Sequence, residues 1–427
     1  MKFFVTFTSL YLTAIPLVLF PFVRQSFSAN FFDLFALIFV TQSLIMIFEF
    51  GLTNVLVKLI GDVRKNIVET KKLYSFALVL CIYISFIGFL LIFIIALNDM
   101  FVFVPVTELK YDFLVCLVLI GCSRFLSAIP RIISYGYELF LGTSLLVIFL
   151  SSTRFLVPLA LHYLDYIDEM SFFYTYLFLS LLEGILLWVH LAFKMELIKI
   201  PTPSLSAFTQ SSYVFKKYWQ TAIYTFIPSF MWLLSSQADK AFYILDEGVK
   251  GSGMLVAISG LASGILILTN SINSAFMPRL VSVESGSRGQ RNNFFQMICI
   301  GLVILVLTMT TIMLFSHQLL IFWFQDTAID LELAYLLQLY FIYFSILAAS
   351  SYYYVYFFIN DILKYHLITN IIYSLFVLII WLTAADLNEY MLLMCANVFL
   401  CFVLSGLLLV RHKRKFRYIE HSKSLNA

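Results

Sequence analysis

A few charged residues lie inside long apolar segments or at their ends, where a charge costs about 2.5–3.5 kcal/mol on membrane-insertion scales. These residues are Arg24, Glu49, Arg124, Arg154, Glu183, Asp239 and Lys240. A charge at bilayer depth usually faces a partner or a water-filled cavity. Arginine matches the oxygen geometry of phosphate, and a buried carboxylate can exchange a proton near neutral pH. The residue types therefore predict anion binding and ion coupling.

The depth of these residues along their segments suggests which of them meet. At about 1.5 Å per residue, Arg124 and Glu183 lie at similar depth and are predicted to form a buried pair. Such a pair either locks two helices together or contributes to a binding site. Arg154 is expected nearer the outer face without a partner, either as a phosphate ligand in a water-filled cleft or snorkelling to the interface. Glu49, in the stretch "FEFGLTN", suits either ion coupling or a packing hydrogen bond.

Asp239 and Lys240 stand side by side in "SSQADKAFYILDEG", where an apolar segment is predicted to end. They either line the outer opening of a substrate path or are ordinary helix-end residues at the headgroup level. At such an opening, the ammonium group of Lys240 would contact a phosphate head, and Asp239 would keep that contact from becoming too tight. Arg24 lies at the outer end of the first apolar segment.

The elements that position these residues follow from the composition. The chain has 427 residues, of which 62% are hydrophobic and 12% are charged, whereas a soluble domain carries about 25% charged residues. Lipid must therefore be the main solvent, which leaves α-helices or a closed β-barrel. The apolar runs are continuous over about 20 residues and lack two-residue alternation, which predicts an all-α polytopic membrane protein.

Twelve apolar windows are long enough to span a bilayer. They cover residues 4–23, 32–57, 75–97, 113–133, 139–161, 172–193, 219–237, 251–278, 295–316, 333–358, 365–385 and 389–410. The first window is expected to be an uncleaved helix, because its apolar run is longer than that of a signal peptide. Basic residues such as Arg131 and Lys194 concentrate in alternate connections, which predicts that both termini are cytoplasmic.

The chain is predicted to divide into two lobes of six transmembrane helices around a central cavity. The predicted parts are an N-terminal lobe (residues 1–193), a cytoplasmic linker with a candidate interfacial helix (194–218), a C-terminal lobe (219–410) and a basic cytoplasmic tail (411–427). Pro16 and Pro228 occupy similar places in the two halves, as do Lys58 and Arg279. Two six-helix halves of one orientation form a parallel repeat, which is typical of transporters.

The sequence argues against several other kinds of site. It shows no extramembrane domain and no glycine-rich phosphate loop, so an enzyme is not expected. The six cysteines lie in apolar runs without CxxC spacing or a neighbouring set of histidines. Neither disulfides nor a metal site are therefore predicted. No cofactor and no nucleic-acid partner are expected.

One stretch of the sequence, "SSQADKAFYI", resembles the segment of Wzx-type O-antigen and polysaccharide flippases in which a polar Asp-Lys pair closes span seven. The resemblance continues through "GSGMLVAISGLASGILILTNSINSAFMPRLVSVESG", which is rich in small residues and contains Pro278 followed by Arg279. The stretch "FALIFVTQSLIMIFEFGLTNVLVKLIGDVRKN" resembles the second span of that family, with Glu49 where Asp is commoner. The resemblance covers the full length in topology and is specific in residues 35–66 and 235–286.

The resemblance implies a member of the multidrug/oligosaccharidyl-lipid/polysaccharide (MATE-like) superfamily that works by alternating access. Its substrate would be an undecaprenyl-pyrophosphate-linked oligosaccharide, the repeat unit of O-antigen or a related polysaccharide, moved from the cytoplasmic to the periplasmic leaflet of the bacterial inner membrane. The candidate substrate-binding residues are then Arg24, Arg124, Arg154, Asp239 and Lys240. Glu49 and Glu183 are the candidates for coupling to an H+ or Na+ gradient. Expected partners are membrane lipids and, in lipopolysaccharide biosynthesis, a polysaccharide polymerase and a chain-length regulator.

Two other functions stay open on the residues alone. A drug/cation antiporter of the same superfamily would favour acidic residues in its cavity, whereas the intramembrane charges here are mixed. A membrane polysaccharide polymerase would be expected to carry a large periplasmic loop. The longest outer connections, 98–112 and 317–332, are short and acidic. The flippase is therefore the function predicted.

Overall fold

The structure is a computed structural model that describes most of the chain. The described residues are 2–45, 56, 60, 67–101, 111–137, 139–194, 216, 226–227, 230, 237–244, 251–282, 288–326, 329–359, 362 and 364–425. The candidate coupling residue Glu49 lies outside them. So do most of the predicted linker with its interfacial helix and most of the 219–237 window.

Every regular element in these ranges is an α-helix, as the composition predicts. The helices are α1 (Lys2–Ser26), α2 (Ala29–Ile45), α3 (Ile67–Phe101), α4 (Tyr111–Gly136), α5 (Phe140–Tyr163), α6 (Glu169–Lys194), α7 (residues 237–244), α8 (Ser252–Ser282), α9 (Arg288–Phe324), α10 (Leu331–Ile359), α11 (Lys364–Thr383) and α12 (Leu387–Leu425). Seven of them, α4 to α6 and α9 to α12, contain stretches long and apolar enough to cross a membrane. Shorter apolar stretches occur in α1, α2, α3 and α8. The chain is therefore a multi-pass membrane protein. Apolar helices coincide with the described parts of the predicted windows, and most of 219–237 and the end of 32–57 lie outside the described residues.

Polar side chains mark the packed faces of several helices. In α5, the buried residues Ser144, Ser151 and Arg154 lie on one face. Leu145 and Phe149, on other faces of the same helix, are exposed. Buried polar and exposed apolar faces are the reverse of what a soluble protein shows. Lipid solvates the apolar faces, while polar groups need partners within the protein.

The first compact unit comprises Met1–Gln237 together with Glu247–Gly253. In this unit α4 packs against α2, α3 and α6, while α5 packs against α1 and α6. The side chain of Ile45 in α2 lies so close to Gly121 of α4 that any larger residue at position 121 would collide with it. The central place of α4 puts its residue Arg124 in the interior of the unit.

Hydrogen bonds at the first turn of α6 fix the residue at which this helix begins. The backbone N–H of Ser171 donates to Asp168 Oδ1 at 2.8 Å. The hydroxyl and the backbone N–H of Ser171 together hold the pKa of Asp168 below its ordinary value. The hydroxyl of Ser28, in the turn between α1 and α2, donates to Glu169 Oε1 at 3.2 Å. These bonds set the position of the helix that carries Glu183.

The second compact unit comprises Ala238–Asp246 together with Met254–Ala427. Here α10 packs against α9, α11 and α12, and α12 also packs against α11. In the first unit, α4 packs in the same way against α3, α5 and α6, and α6 also packs against α5. The two units therefore share an order of helix pairing.

Two thiol hydrogen bonds occur at equivalent places in the two units. Cys116 Sγ of α4 donates to the carbonyl of Phe173 in α6 at 3.4 Å, and Cys395 Sγ of α12 donates to the carbonyl of Leu339 in α10 at 3.3 Å. Leu339 follows Cys116, and Cys395 follows Phe173, by almost the same offset, which is close to half the chain. Equivalent positions are therefore in contact in both units, as expected for a parallel repeat. The thiol donor is on α4 in the first unit, and in the second unit it is on α12, the counterpart of α6. The lobe boundaries given above stay predictions.

A kink in α9 is matched by a polar side chain from α10. Phe315 has φ of −126° and ψ of 17°, which lies outside the helical region. The amide of Gln338 donates to the carbonyl of Met313 at 3.2 Å and to the hydroxyl of Ser316 at 2.9 Å. A kink breaks the regular helical hydrogen bonds, and Gln338 supplies a replacement donor within the protein.

A carboxylate from α2 caps the backbone where α8 begins. Asp33 Oδ2 accepts the N–H of Gly251 at 3.0 Å, and Oδ1 accepts the N–H of Gly253 at 2.8 Å. Gly251 has φ of 80°, a left-handed conformation that favours glycine. These glycines belong to the first unit, as does Asp33. The sequence places Asp33 among the charges of the outer connections, whereas the structure shows it buried.

Asp33→Ala is expected to lower the free energy of unfolding by about 1–3 kcal/mol, because two backbone N–H groups lose a charged acceptor. Asp33→Asn keeps one of the two acceptor oxygens, so one backbone N–H keeps its acceptor, and this variant is expected to cost less than Asp33→Ala. The measurement is the apparent melting temperature of the detergent-purified protein. Equal losses in the two variants would contradict a cap and would point to the charge of Asp33 alone.

Candidate functional site

Three of the predicted charged residues meet in the interior of the first unit. Arg124 belongs to α4, Arg154 to α5 and Glu183 to α6, and α6 packs against both of the other helices. Buried residues recur every three or four positions along α5 and α6. This spacing puts Arg154 and Glu183 on the faces where the two helices pack.

Glu183 accepts hydrogen bonds from both arginines. Nη1 of Arg124 lies 3.1 Å from Glu183 Oε1 and 3.3 Å from Oε2. Nη1 of Arg154 donates to Oε2, and the hydroxyl of Ser151 donates to Oε1 at 3.4 Å. The predicted pair of Arg124 and Glu183 is therefore present. We call the three charged residues the Arg–Glu–Arg cluster.

The prediction of an unpaired or snorkelling Arg154 is wrong. Only 1% of the residue is exposed, and its guanidinium carbon lies 4.9 Å from the ring centre of Phe155 and 5.4 Å from that of Tyr176. The polar face of α5 packs against α6, so the side chain of Arg154 reaches the carboxylate of Glu183 within the unit. Its contacts make it a residue that positions Glu183.

The cluster contains two positive charges and one negative charge. Glu183 and Arg154 are each 1% exposed, whereas 19% of the Arg124 side chain is exposed. Because protein encloses Arg154, Arg124 is the member of the cluster to which a further anion could bind. A guanidinium group donates well to phosphate and carboxylate oxygens, often through two parallel hydrogen bonds.

Asp239 and Lys240 lie within a helix, which extends beyond the predicted end of the apolar segment at residue 237. The helix α7 continues to residue 244, and both side chains are buried. Nζ of Lys240 lies 3.1 Å and 3.0 Å from the two Asp239 oxygens, and the hydroxyl of Tyr340 in α10 donates to Oδ2 of Asp239. Because the two charges compensate each other, the pair can be buried within the second unit.

Further tyrosines lie around Asp239. The hydroxyls of Tyr343 and Tyr373 are 2.5 Å apart, and the charge of Asp239 acts on Tyr343 and Tyr390. Tyr390 is fully buried and stacks on Phe242, and its hydroxyl has no hydrogen-bond partner in the part of the chain that the structure describes. This set was missed in the sequence, because 25 tyrosines are present and their spacing alone does not single these out.

Arg24 has its described contacts with α2 rather than with the Arg–Glu–Arg cluster. It lies near the end of α1, and its guanidinium carbon is 5.9 Å from the ring centre of Phe32. Its charge also acts on Asp33. A substrate-binding role for Arg24 stays a prediction.

One further arginine of α4 belongs to the surroundings of the cluster. Arg131 is half-buried, and its charge acts on both Arg124 and Glu183. From the sequence, Arg131 is predicted only to be one of the basic residues on the cytoplasmic side. Its spacing from Arg124, which equals two helical turns, was the signal that both lie on one face of α4.

The chemistry available at these sites is ion pairing and hydrogen bonding. Within the described ranges no three His, Cys, Asp or Glu side chains are grouped in a way that could hold a metal ion. The first unit offers a cluster with excess positive charge, and the second offers a carboxylate paired with an ammonium group and a tyrosine.

Comparison with known proteins shows likeness in structure. No protein-family model matches the sequence, and no curated protein matches it. The lipid II flippase MurJ, in an inward closed conformation, matches with a TM-score of 0.66 and 15% identity, over 96% of this chain and 87% of MurJ. A MOP superfamily transporter from Pyrococcus furiosus matches with a TM-score of 0.59 and 14% identity, over 95% of this chain and 94% of that chain. A eukaryotic MATE transporter matches with a TM-score of 0.59 and 12% identity, over 95% and 93% of the two chains. These likenesses confirm the predicted fold class, an all-helical membrane protein with the fold of MATE transporters and MurJ.

Proposed function

We propose that this protein is a flippase for a lipid-linked oligosaccharide. It would move an undecaprenyl-pyrophosphate-linked repeat unit of O-antigen or a related polysaccharide from the cytoplasmic to the periplasmic leaflet by alternating access. Wzx-type flippases are its proposed relatives, and the bacterial inner membrane is its proposed location, with both termini in the cytoplasm. A polysaccharide polymerase and a chain-length regulator are the proposed partners.

One observation carries the proposal: the Arg–Glu–Arg cluster has an excess positive charge, and its least buried member is Arg124, with 19% of the side chain exposed. A carrier for a lipid with an anionic head group needs such a cation inside the protein, while the lipid tail can remain in the bilayer. The guanidinium fork is suited to phosphate oxygens. The likeness to MurJ supports the same substrate class, because MurJ is a lipid II flippase.

The residues of the Arg–Glu–Arg cluster have different roles in the proposed transport. Arg124 contacts the phosphate of the head group. Arg154 and Ser151 hold the carboxylate of Glu183, which orients Arg124 and offsets part of its charge. A phosphate would then bind without being held so tightly that it could not leave on the other side.

Other predicted residues remain part of the proposal. Arg24, Asp239 and Lys240 are proposed to contact the substrate at other stages of transport. Coupling to an H+ or Na+ gradient is proposed to involve Glu49 or Glu183. Of these two, Glu183 has two cationic partners, so that a change in its protonation would alter the charge presented at Arg124.

Deletion of the gene is expected to abolish surface polysaccharide display and to cause lipid-linked repeat units to accumulate inside the source bacterium. Restoration with Arg124→Ala is expected to leave display at about a tenth of the wild-type level or less, because one charge-assisted contact accounts for about tenfold or more in affinity. Arg124→Lys keeps the charge without the fork and is expected to give an intermediate level. Display is measured by antibody or lectin binding and divided by the amount of protein in the membrane.

Lys364→Ala is the matched control, because Lys364 is an exposed cation at the start of α11. It is expected to restore display fully. Unchanged display after deletion, in a strain without a redundant flippase, would contradict the proposed function. A drug/cation antiporter would then come first, with the buried carboxylate of Asp239 and the hydroxyl of Tyr340 as its candidate cation site.

A further inference from the structure

We infer that Arg131 is a second anion-binding residue and that Arg124 and Arg131 together select a lipid diphosphate over a lipid monophosphate. This inference rests on the proposed function and deepens it, because it assigns a residue of this chain to the second phosphate of the proposed diphosphate substrate. It depends on three observations about α4: the spacing of its arginines, the lack of a hydrogen bond or ion pair between Arg131 and any described residue, and the net charge of the surrounding groups.

The two arginines lie on one face of α4. Their spacing corresponds to two helical turns and about 10.5 Å along the helix axis. Ser127 lies between them on the same face, and its hydroxyl donates to the carbonyl of Arg124 at 2.9 Å. Two long side chains at this spacing are able to reach neighbouring phosphates of one diphosphate. A single phosphate is too small to engage both fully.

Arg131 and Ser134, farther along this face of α4, have no polar side-chain partners among the residues that the structure describes. Arg131 is half-buried and makes no hydrogen bond or ion pair with the residues that the structure describes. Ser134, on the next turn of α4, is 1% exposed, and its hydroxyl has no hydrogen-bond partner among those residues either. A partly desolvated guanidinium and a buried hydroxyl are both unfavourable when unsatisfied. A polar ligand along this face of α4 would satisfy them.

The net charge also fits a diphosphate. Arg124, Arg131 and Arg154 contribute three positive charges, and Glu183 contributes one negative charge, which leaves two positive charges in the described surroundings. A lipid-linked diphosphate carries a negative charge on each phosphate and would neutralise them. A monophosphate diester would leave one positive charge uncompensated in a poorly solvated place, which is unfavourable.

The test measures how tightly the purified full-length protein binds two lipid probes that carry the same single sugar, one linked to undecaprenol through a diphosphate and the other through a single phosphate diester. Titration in detergent, followed by native mass spectrometry, gives the ratio of the two affinities. The wild type is expected to bind the diphosphate about tenfold more tightly or better, as one extra charge-assisted contact would provide. Arg131→Gln is expected to bring this ratio close to one while the monophosphate affinity stays unchanged. Arg124→Gln is expected to weaken the binding of both lipids.

Arg131→Lys serves as the matched variant, because it keeps the charge and is expected to retain most of the preference. The melting temperature of each variant without lipid shows that the fold is intact. A preference for the diphosphate that persists in Arg131→Gln would overturn the inference and leave the flippase proposal standing. A wild-type protein that binds neither lipid would overturn both.

Discussion

Glu183→Gln is expected to lower the free energy of unfolding by about 3–5 kcal/mol, because it leaves two guanidinium groups without their shared carboxylate. Arg154 contributes most of this loss, since it is 1% exposed and cannot be solvated by water where it lies. Glutamine has the size of glutamate, so the change is one of charge rather than of packing. The measurement is the apparent melting temperature in detergent, together with the yield of monodisperse protein.

The companion variant Glu183→Gln with Arg154→Met tests whether the loss comes from the ion pair. It removes the carboxylate and its buried partner together, and replacing a buried pair by neutral residues is often close to neutral. Arg124 remains, but 19% of its side chain is exposed, so its charge is less completely buried than that of Arg154. We expect the double variant to be more stable than Glu183→Gln alone, with a coupling of about 0.5–3 kcal/mol. Strictly additive losses would contradict direct pairing of these residues.

The sequence is enough to predict the pair of Arg124 and Glu183, because depth in a membrane helix can be counted. Arg124 lies at the middle of α4, which begins at Tyr111, and Glu183 lies at the middle of α6, which begins at Glu169. Both helices are predicted to run in the same direction through the bilayer. Similar distances from the helix start therefore give similar depth, and two opposite charges at one depth in an apolar medium tend to pair.

The same counting gives the wrong result for Arg154. Its position relative to the end of α5 at Tyr163 places its Cα about 7 Å closer to the outer face than that of Glu183. An arginine side chain is long enough to cover this difference. The missed signal is the face on which it lies: Arg154 shares a buried stripe with Ser151, whereas Phe149 is exposed. Polar periodicity, rather than depth alone, predicts which charges face the interior of a membrane protein.

Hydropathy also fails at Asp239 and Lys240, for a related reason. An average over a window falls wherever charged residues occur, so it cannot tell a compensated pair in the interior from a helix end at the headgroups. The residue that makes the difference is Tyr340, which lies far away in the sequence and contacts Asp239 through its hydroxyl. A contact between distant segments of this kind requires the folded structure.

Asp239→Asn and Lys240→Met are each expected to lower the free energy of unfolding by about 3–5 kcal/mol, because each leaves the other charge buried without its partner. Both side chains are buried, with 4% of Asp239 and 6% of Lys240 exposed. Neighbouring side chains on a helix diverge by about 100°, so the Lys240 side chain bends back toward Asp239 to bring Nζ within 3.0 Å of Oδ2. The apparent melting temperature of each variant in detergent measures the loss.

The double variant, Asp239→Asn with Lys240→Met, separates stability from transport. Because both charges are removed together, we expect most of the lost stability to return, with a coupling of about 0.5–3 kcal/mol. Tyr340→Phe, which removes only the hydroxyl that contacts Asp239, is the smaller control and is expected to cost about 1–3 kcal/mol.

Surface polysaccharide display in cells that carry the double variant then decides what the pair is for. If Asp239 and Lys240 contact the substrate, as proposed, display stays low although the protein is stable and present in the membrane. If display returns together with stability, the pair serves only to hold α7 against α10, and the substrate-binding role is contradicted. In either single variant, transport falls whether the protein loses stability or loses a substrate contact. The double variant distinguishes these two causes, because it restores the stability of the fold without restoring the charges.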